Sequence, residues 1–448
     1  GVWRKRLAVL AAVLVLRWWL RRRAKSSAAA AARAKREALR KKIEQVARAA
    51  NDDVTRRRPI ATLLAHAGCE VDPSTSALTP PIHMSSTFER STDLTFPNGF
   101  VYGRASNPTR ALLERSLAEA DGGEAACAFA SGSAAACAVF QALPGGYVIL
   151  PHDLYHGNRT MIKTVFEEWD LKWCAIDMSA EEHVREALDK AVASCSNPRN
   201  ILVWTESPSN PCLNVVDLAM VSALASEFGA IHMSDTTWCT PALCRAIDYG
   251  CDLVLHSTTK YLGGHSDVTG GAIVCGSTTR GKAVFQRIKH IQAVCGAVPS
   301  PFDCWLVLRG MRSLMPRMNA HCGNALRVAI FLRDHPCVEQ VNYPGLETHP
   351  GHVIAKAQMG GQFGGMLSFQ VRGGEDAAIC VAAQVKVAIR ATSLGGTETL
   401  IEHRRSVEGP MSTTPANLLR MSIGLEDIED IIADLDQALN ATASLKHS

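Results

Sequence analysis

From about residue 111, apolar runs alternate with amphipathic stretches in a way that sets the fold class. ALLERSLAEAD (111–121) has helical spacing and ends at Gly122-Gly123, a helix stop. AACAFAS is a short run of small apolar residues that reads as a buried strand, and an Ala-rich helix begins at Gly132. YVILP reads as another strand, and Ser179 with Glu182 forms a capping box that opens a helix over EEHVREALDKAV. NILVWTE, AIHMSD and DLVLHST read as strands, with a helix over DLAMVSALASEF. Alternating strands and helices predict an α/β domain with a mostly parallel sheet covered by helices. Beyond Pro299 the texture changes to a long helical stretch (303–334), strand-like segments GGMLSFQV and VKVAIRA, and a last helix DIEDIIADLDQAL. That order predicts a smaller C-terminal α+β domain. No internal repeat is present.

Charge separates the chain into two parts. Residues 1–50 hold 15 of the 47 Lys/Arg but only two of the 43 Asp/Glu, Glu37 and Glu44. The remaining 32 basic and 41 acidic residues give the body a net charge of −9. An acidic body argues against nucleic-acid binding, which needs a basic face to neutralise phosphates. Residues 7–20 are apolar apart from Arg17, short of the roughly 20 residues that cross a bilayer. With no acid before Glu37 and many Arg and Ala, the leader reads first as a targeting segment and second as a weak membrane anchor. An intracellular location is expected, cytoplasmic or organellar. The 15 cysteines lie singly with no C-x-x-C pair, which reads as free thiols in a reducing compartment, and neither they nor an HExxH support a metal site.

Ligands in open α/β sheets bind at the C-terminal ends of strands. Ser131, Glu206, Asp235, and Ser257 with Lys260 all fall at such ends. A lysine amine has an ordinary pKa of about 10.4 and becomes a nucleophile near neutrality only when desolvation or a nearby cation lowers it. Lys260, between an apolar strand and a Gly-rich turn, is placed for that. Ser257-x-x-Lys260 also has the S-x-x-K spacing of penicillin-binding enzymes, but K-T-G and S-D-N are missing. Asp235 could pair with a cationic ring nitrogen or cap a turn. Ser131-Gly132-Ser133 opens a helix with small residues, which suits a single phosphate; no Lys follows to make a Walker loop.

TPPIHMSSTFER, VYGRASNPTR, FASGSAA, ESPSNP, SDTTWCTP, HSTTKYLGGHSDVTGG, SLGGTETL and LLRMSIGLED occur in that order from Pro80 to the C-terminal region. In these eight motifs the chain resembles the trans-sulfuration family of cystathionine γ-synthase, cystathionine γ-lyase and their relatives. The resemblance implies an aspartate-aminotransferase-like, fold type I enzyme that uses pyridoxal 5′-phosphate. Four segments are expected: a basic leader (1–50), an arm reaching a neighbouring subunit (51–110), a cofactor-binding domain (111–302) and a C-terminal domain (303–448). It also implies roles. Lys260 would hold the cofactor and shuttle protons, Asp235 would pair with the ring nitrogen, and Tyr155 would stack on the ring and assist proton transfer. Asn210 would contact the ring hydroxyl, and Ser131, Gly132, Ser133, Ser257 and Thr259 would hold the phosphate. Tyr102 and Arg104 would reach the phosphate of the neighbouring subunit in a homodimer or homotetramer. Arg420, aided by Ser393, would clamp the carboxylate of an amino-acid substrate.

The activity implied is γ-replacement or γ-elimination on cystathionine or an O-acylhomoserine, with an O-acylhomoserine sulfhydrylase or methionine γ-lyase as the alternative. A catalytically inactive, membrane-tethered binding protein is the rival from another class; retention of Lys260, Asp235, Tyr155 and Arg420 speaks against it. The sequence departs from the family pattern in places. Thr392 stands where the γ-synthases and γ-lyases usually carry a glutamate before Ser-Leu-Gly-Gly. His156 and Gly157 follow Tyr155 in place of the Gly-Cys of methionine γ-lyases, and Arg159 lies one position nearer Tyr155 than usual. His403, Arg404 and Arg405 form a basic run that reads either as part of an unusual substrate pocket or as a solvated turn.

Overall fold

The computed structural model describes residues 59–409 and 412–442, with positions 34, 35, 37, 38 and 41 of the leader. The expected targeting or anchoring function of the leader falls outside the described residues. Among the described residues no helix is long and apolar enough to cross a membrane. The chain divides into Gly1–Pro59 and a compact unit, Ile60–Ser448, which contains two β-sheets.

The larger sheet has seven strands: β1 (Ala125–Phe129), β2 (Tyr147–Pro151), β3 (Lys172–Ile176), β4 (Ile201–Glu206), β5 (Ile231–Asp235), β6 (Leu253–His256) and β7 (Gly271–Cys275). Their spatial order is β1-β7-β6-β5-β4-β2-β3. The run β6-β5-β4-β2-β3 is parallel, and β7 is antiparallel to both its neighbours. The expected mostly parallel sheet is therefore present. Strands β2, β4, β6 and β7 are buried throughout, which explains their unbroken apolar runs: helices cover both faces. The second sheet has five strands: β8 (Val338–Asn342), β9 (Met366–Val371), β10 (Ile389–Arg390), β11 (Leu400–His403) and β12 (Leu418–Ser422), ordered β10-β11-β12-β9-β8.

Local signals explain where the elements start and stop. The helix Pro108–Asp121 opens on Asn107, whose Oδ1 accepts the N–H groups of Thr109 and Arg110, and closes on Gly122 at φ 71°. The capping box expected at Ser179 does not form. The helix Glu181–Ser194 has Ala180 at its N-cap with no side-chain cap hydrogen bond, and the Ser179 N–H donates to Asp177 Oδ1 at 2.9 Å in an aspartate turn that precedes the helix. The long helical stretch is two helices, Pro301–Met311 and Leu314–Asp334. In VKVAIRA only Ile389 and Arg390 pair as a strand. The N–H groups of Lys386, Val387 and Ala388 are taken by the Asp434 carboxylate at 2.7–2.9 Å, so they have no donors left for a ladder.

Candidate active site

The C-terminal ends of β4, β5 and β6 open onto a cavity of about 420 Å³. Ser131, Gly132, Ser133, Tyr155, Asn210, Asp235, Ser257, Thr259, Lys260, Ser393 and Arg420 all line it. Eleven of the thirteen residues singled out in the sequence thus converge from positions nearly 290 residues apart.

Lys260 follows β6 in the turn that the sequence predicted. Its Nζ donates to Ser393 Oγ at 2.7 Å. Burial, helped by the Arg420 guanidinium, lowers its pKa to about 8. Ser393 adopts φ 84°, a left-handed conformation uncommon for a residue with a side chain, and such strain persists where surrounding contacts hold it. The same residue offers its carbonyl to Arg420 Nη2 at 3.0 Å. One strained serine thus touches both the amine and the guanidinium.

Asp235 ends β5 opposite Glu206 at the end of β4. The Thr237 N–H donates to Asp235 Oδ1 at 2.9 Å. Burial raises the pKa of Asp235, and the Thr237 hydrogen bonds and the nearby His256 oppose that. Glu206 is pushed further up, by burial and then by the charge of Asp235. Of the two, Glu206 is the one held more strongly toward its protonated form. Behind them His256 Nε2 lies 2.8 Å from Asp121 Oδ2, both fully buried, a pair that the sequence did not reveal. Glu206 also accepts the Tyr155 backbone N–H at 3.0 Å, which fixes where the aromatic side chain leaves the chain. Tyr155 is 41% exposed at the cavity and its ring lies against His156, centroids 5.7 Å apart.

Across the cavity the Gly132–Gln141 helix points its N-terminus at the opening, capped by Ser131 Oγ accepting from Ala134 N at 3.0 Å. A Cβ on Gly132 would stand 3.0 Å from Ser257 Cβ, a tight contact that would push Ser257 back by a few tenths of an ångström. The hydroxyls of Ser131, Ser133, Ser257 and Thr259 and the helix N-terminus make a small polar cradle suited to one phosphate. The half-buried Asp235 carboxylate also lines the cavity, with an aromatic side chain and a partly desolvated amine. These residues fit pyridoxal phosphate.

Tyr102 and Arg104 are not brought into this cavity. Tyr102 is 48% exposed, and Arg104 Nη1 donates to the carbonyl of Ala293 and, at 3.4 Å, to that of Val294. Of the basic run, Arg404 alone lines the cavity, and it is 3% exposed. It is bound by Glu402 and Glu408, so the solvated-turn reading fails for it. His403 turns away to Ser406 and the Ala416 carbonyl. Thr392 and His156 do line the cavity, whereas Arg159 binds the His152 carbonyl instead. Glu402 was missed in the sequence; its signal is the β11–β12 register, which sets it opposite Arg420.

Residues 61–440 match the family model described as Cys/Met metabolism PLP-dependent enzyme. A cystathionine gamma-synthase of Mycobacterium bovis is 44% identical over 386 residues, covering 85% of this chain and 96% of the relative. A cystathionine beta-lyase of Coxiella burnetii is 38% identical over 396 residues, covering 85% and 97%. The crystal structure of cystathionine gamma synthase from Xanthomonas oryzae pv. oryzae in complex with aminoacrylate and cysteine superposes with a TM-score of 0.78 at 36% identity. It covers 86% of this chain and 99% of that one.

Proposed function

The chain belongs to the Cys/Met metabolism PLP-dependent enzymes, and from that premise we propose that its cavity binds an amino acid between Lys260 and Arg420 and exchanges or expels a sulfur or oxygen substituent at its γ-carbon. It is a pyridoxal-phosphate-dependent enzyme of trans-sulfuration, with the fold type I architecture of its relatives. The observation that carries the proposal is the convergence on Ser393 of the Lys260 amine, through Oγ, and the Arg420 guanidinium, through the carbonyl. An α-amino acid whose carboxylate sits on Arg420 presents its Cα side to Lys260.

Pyridoxal phosphate, when bound, supplies an electron sink for the charge left at Cα. The residues that would hold it are Lys260 for the aldehyde, Asp235 for the ring nitrogen, Asn210 for the ring hydroxyl, and Ser131, Gly132, Ser133, Ser257 and Thr259 for the phosphate. Tyr155 would cover the ring face. A second subunit would contribute Tyr102 and Arg104 through an arm spanning 51–110, giving a homo-oligomer; the exposure of Tyr102 supports this.

The chain's own groups then divide the proton work. Arg420 orients the substrate by its carboxylate. The Lys260 amine, with its pKa near 8, can take a proton from Cα at neutral pH and return it elsewhere. Ser393 Oγ holds that amine in place between the two transfers. Asp235 would pair with the ring nitrogen and so favour the electron-accepting form of the cofactor. Tyr155, its backbone N–H held by Glu206, lines the cavity where it would cover the ring.

Among the alternatives, γ-replacement of the cystathionine γ-synthase type is supported by the identity to the mycobacterial enzyme. The test is to incubate purified protein with cystathionine, with O-acylhomoserines plus cysteine, and with methionine, and to identify products by mass. Cystathionine formed from an O-acylhomoserine and cysteine is the expected result. Keto acid plus thiol from cystathionine would assign elimination instead, and an amino group passed to an added keto acid would reject the proposal.

A further inference from the structure

The substrate end of the cavity carries a chain of alternating charges that extends past Arg420. Glu402 on β11 faces Arg420 on β12, and Glu402 Oε2 accepts from Arg420 Nη2. Arg420 Nη1 meanwhile donates to Asn210 Oδ1 at 3.0 Å. Arg404 opens the short helix Arg404–Glu408, and its Nη1 donates to both Glu402 oxygens at 3.2 Å. Its Nη2 donates to Glu408 Oε1 at 2.8 Å. Glu408 Oε2 in turn accepts the hydroxyls of Ser412 at 2.5 Å and Thr414 at 2.7 Å. Glu402, Arg404 and Arg420 are 6%, 3% and 4% exposed, so little water screens these charges.

Two cations and two carboxylates alternate here, and the order matters. A buried carboxylate bound by one guanidinium alone holds it tightly, because nothing else compensates its charge. Glu402 with only Arg420 for a partner would be a permanent internal rival of any substrate carboxylate. Arg404 occupies both oxygens of Glu402 and so lowers its demand on Arg420. Glu408 then adds a second carboxylate to Arg404, whose Glu402 partner is shared with Arg420, so Arg404 is no competing landing point for the same carboxylate. We propose that Arg404 is a positioning residue that neutralises Glu402 and so leaves Arg420 able to take the α-carboxylate of the incoming amino acid. This rests on Arg420 being the carboxylate clamp.

The test uses the holoenzyme and two probes without a leaving group: norvaline, and butylamine, its counterpart lacking the carboxylate. Binding of each is followed through the visible spectrum of the bound cofactor. Arg404→Gln should raise the norvaline Kd about tenfold or more while leaving butylamine within about twofold. Adding Glu402→Gln to Arg404→Gln should recover most of the loss, because the rival carboxylate is gone; adding Glu408→Gln should not. Arg404→Lys, which keeps the charge and loses the fork, should lie between parent and Arg404→Gln and guards against a misfolded variant. Equal weakening of both probes in Arg404→Gln, or recovery through Glu408→Gln and not Glu402→Gln, would overturn the inference. So would unchanged norvaline binding in Arg404→Gln while Arg420→Lys loses it. If Arg420→Lys itself leaves the norvaline-to-butylamine ratio unchanged, the clamp assignment fails and the inference with it.

Discussion

Glu206 and Asp235 stand directly opposite each other at the ends of β4 and β5, a buried and a half-buried carboxyl group on neighbouring parallel strands. They are not equivalent. Asp235 has the Thr237 N–H and a nearby His256 to sustain a charge, whereas Glu206 is raised by burial and by Asp235 itself. Asp235→Asn should therefore cost at least about a hundredfold in kcat/KM and weaken cofactor retention, since no charge would remain beneath the ring nitrogen. Glu206→Gln, which keeps an oxygen for the Tyr155 N–H, should cost far less than Glu206→Leu, which keeps none. Steady-state kinetics and the rate of cofactor loss on dilution distinguish the two.

Lys260 gives a pH dependence with a definite sign. Its amine is a nucleophile only when neutral, and burial beside Arg420 brings its pKa down to about 8. The rate at which apoenzyme captures pyridoxal phosphate should therefore rise with pH through about 8 and level off above it. Arg420→Gln removes the neighbouring cation, so the midpoint should move upward. Stopped-flow absorbance over a pH series measures both.

Much of this site was legible in the sequence because its residues sit where chain direction is fixed by local rules. Asp235, Glu206 and Ser131 end apolar runs, and a strand end in an α/β sheet is a defined place. Ser131-Gly132-Ser133 announces a helix start by composition. The Arg404–Glu402–Arg420 chain was not legible, because it depends on the register of β11 with β12 and on a short helix folding back, which no periodicity encodes. VKVAIRA misled for a related reason. Its alternation is that of a strand, but Asp434, nearly fifty residues later, takes the N–H groups that the strand would have used.

Ser393 separates strain from chemistry. At φ 84° an alanine carries the same backbone cost as the serine and lacks the hydroxyl that holds Lys260, whereas glycine lacks the hydroxyl and removes the strain. Ser393→Gly should accordingly be more stable than Ser393→Ala by about 1 kcal/mol, while the two lose comparable activity. Thermal melts alongside kinetics check the split. Equal melting temperatures would show that the left-handed backbone is not strained.

Gly132 tests the phosphate cradle. An alanine Cβ would come within 3.0 Å of Ser257 Cβ and 3.1 Å of its Oγ, forcing the turn and the serine apart. Gly132→Ala should raise the dissociation constant for pyridoxal phosphate by about tenfold with little change in the fold. Pairing it with Ser257→Gly should recover less than the full loss, because the second change removes a hydroxyl from the same cradle. Equilibrium titration of apoenzyme reads both values, and unaltered affinity in Gly132→Ala would remove the phosphate from this turn.

His232 sets an acid limit on the fold. It lies fully buried on β5, with Nδ1 2.7 Å from Ser222 Oγ and Nε2 3.0 Å from Thr205 Oγ1. Burial, with Arg280 adding to it, lowers its pKa to about 3. An unfolded chain would protonate it near pH 6.5. Between these values the unfolded state binds a proton that the folded state refuses. The stability that neutral His232 protects is therefore complete above about pH 6.5 and lost as pH falls toward 3, at roughly 1.4 kcal/mol per pH unit. His232→Gln should be less stable than the parent at neutral pH, since the glutamine fits the Ser222 and Thr205 hydroxyls less well. It has no such proton to bind, however, so the gap between parent and variant should narrow on acidification. Contributions from the raised carboxyls of Glu206 and Asp235 have the opposite sign, but they are common to both proteins and cancel in the difference. Urea unfolding of the pair from about pH 7 down to about pH 4 measures that gap; one that stays constant would mean His232 can be protonated within the fold.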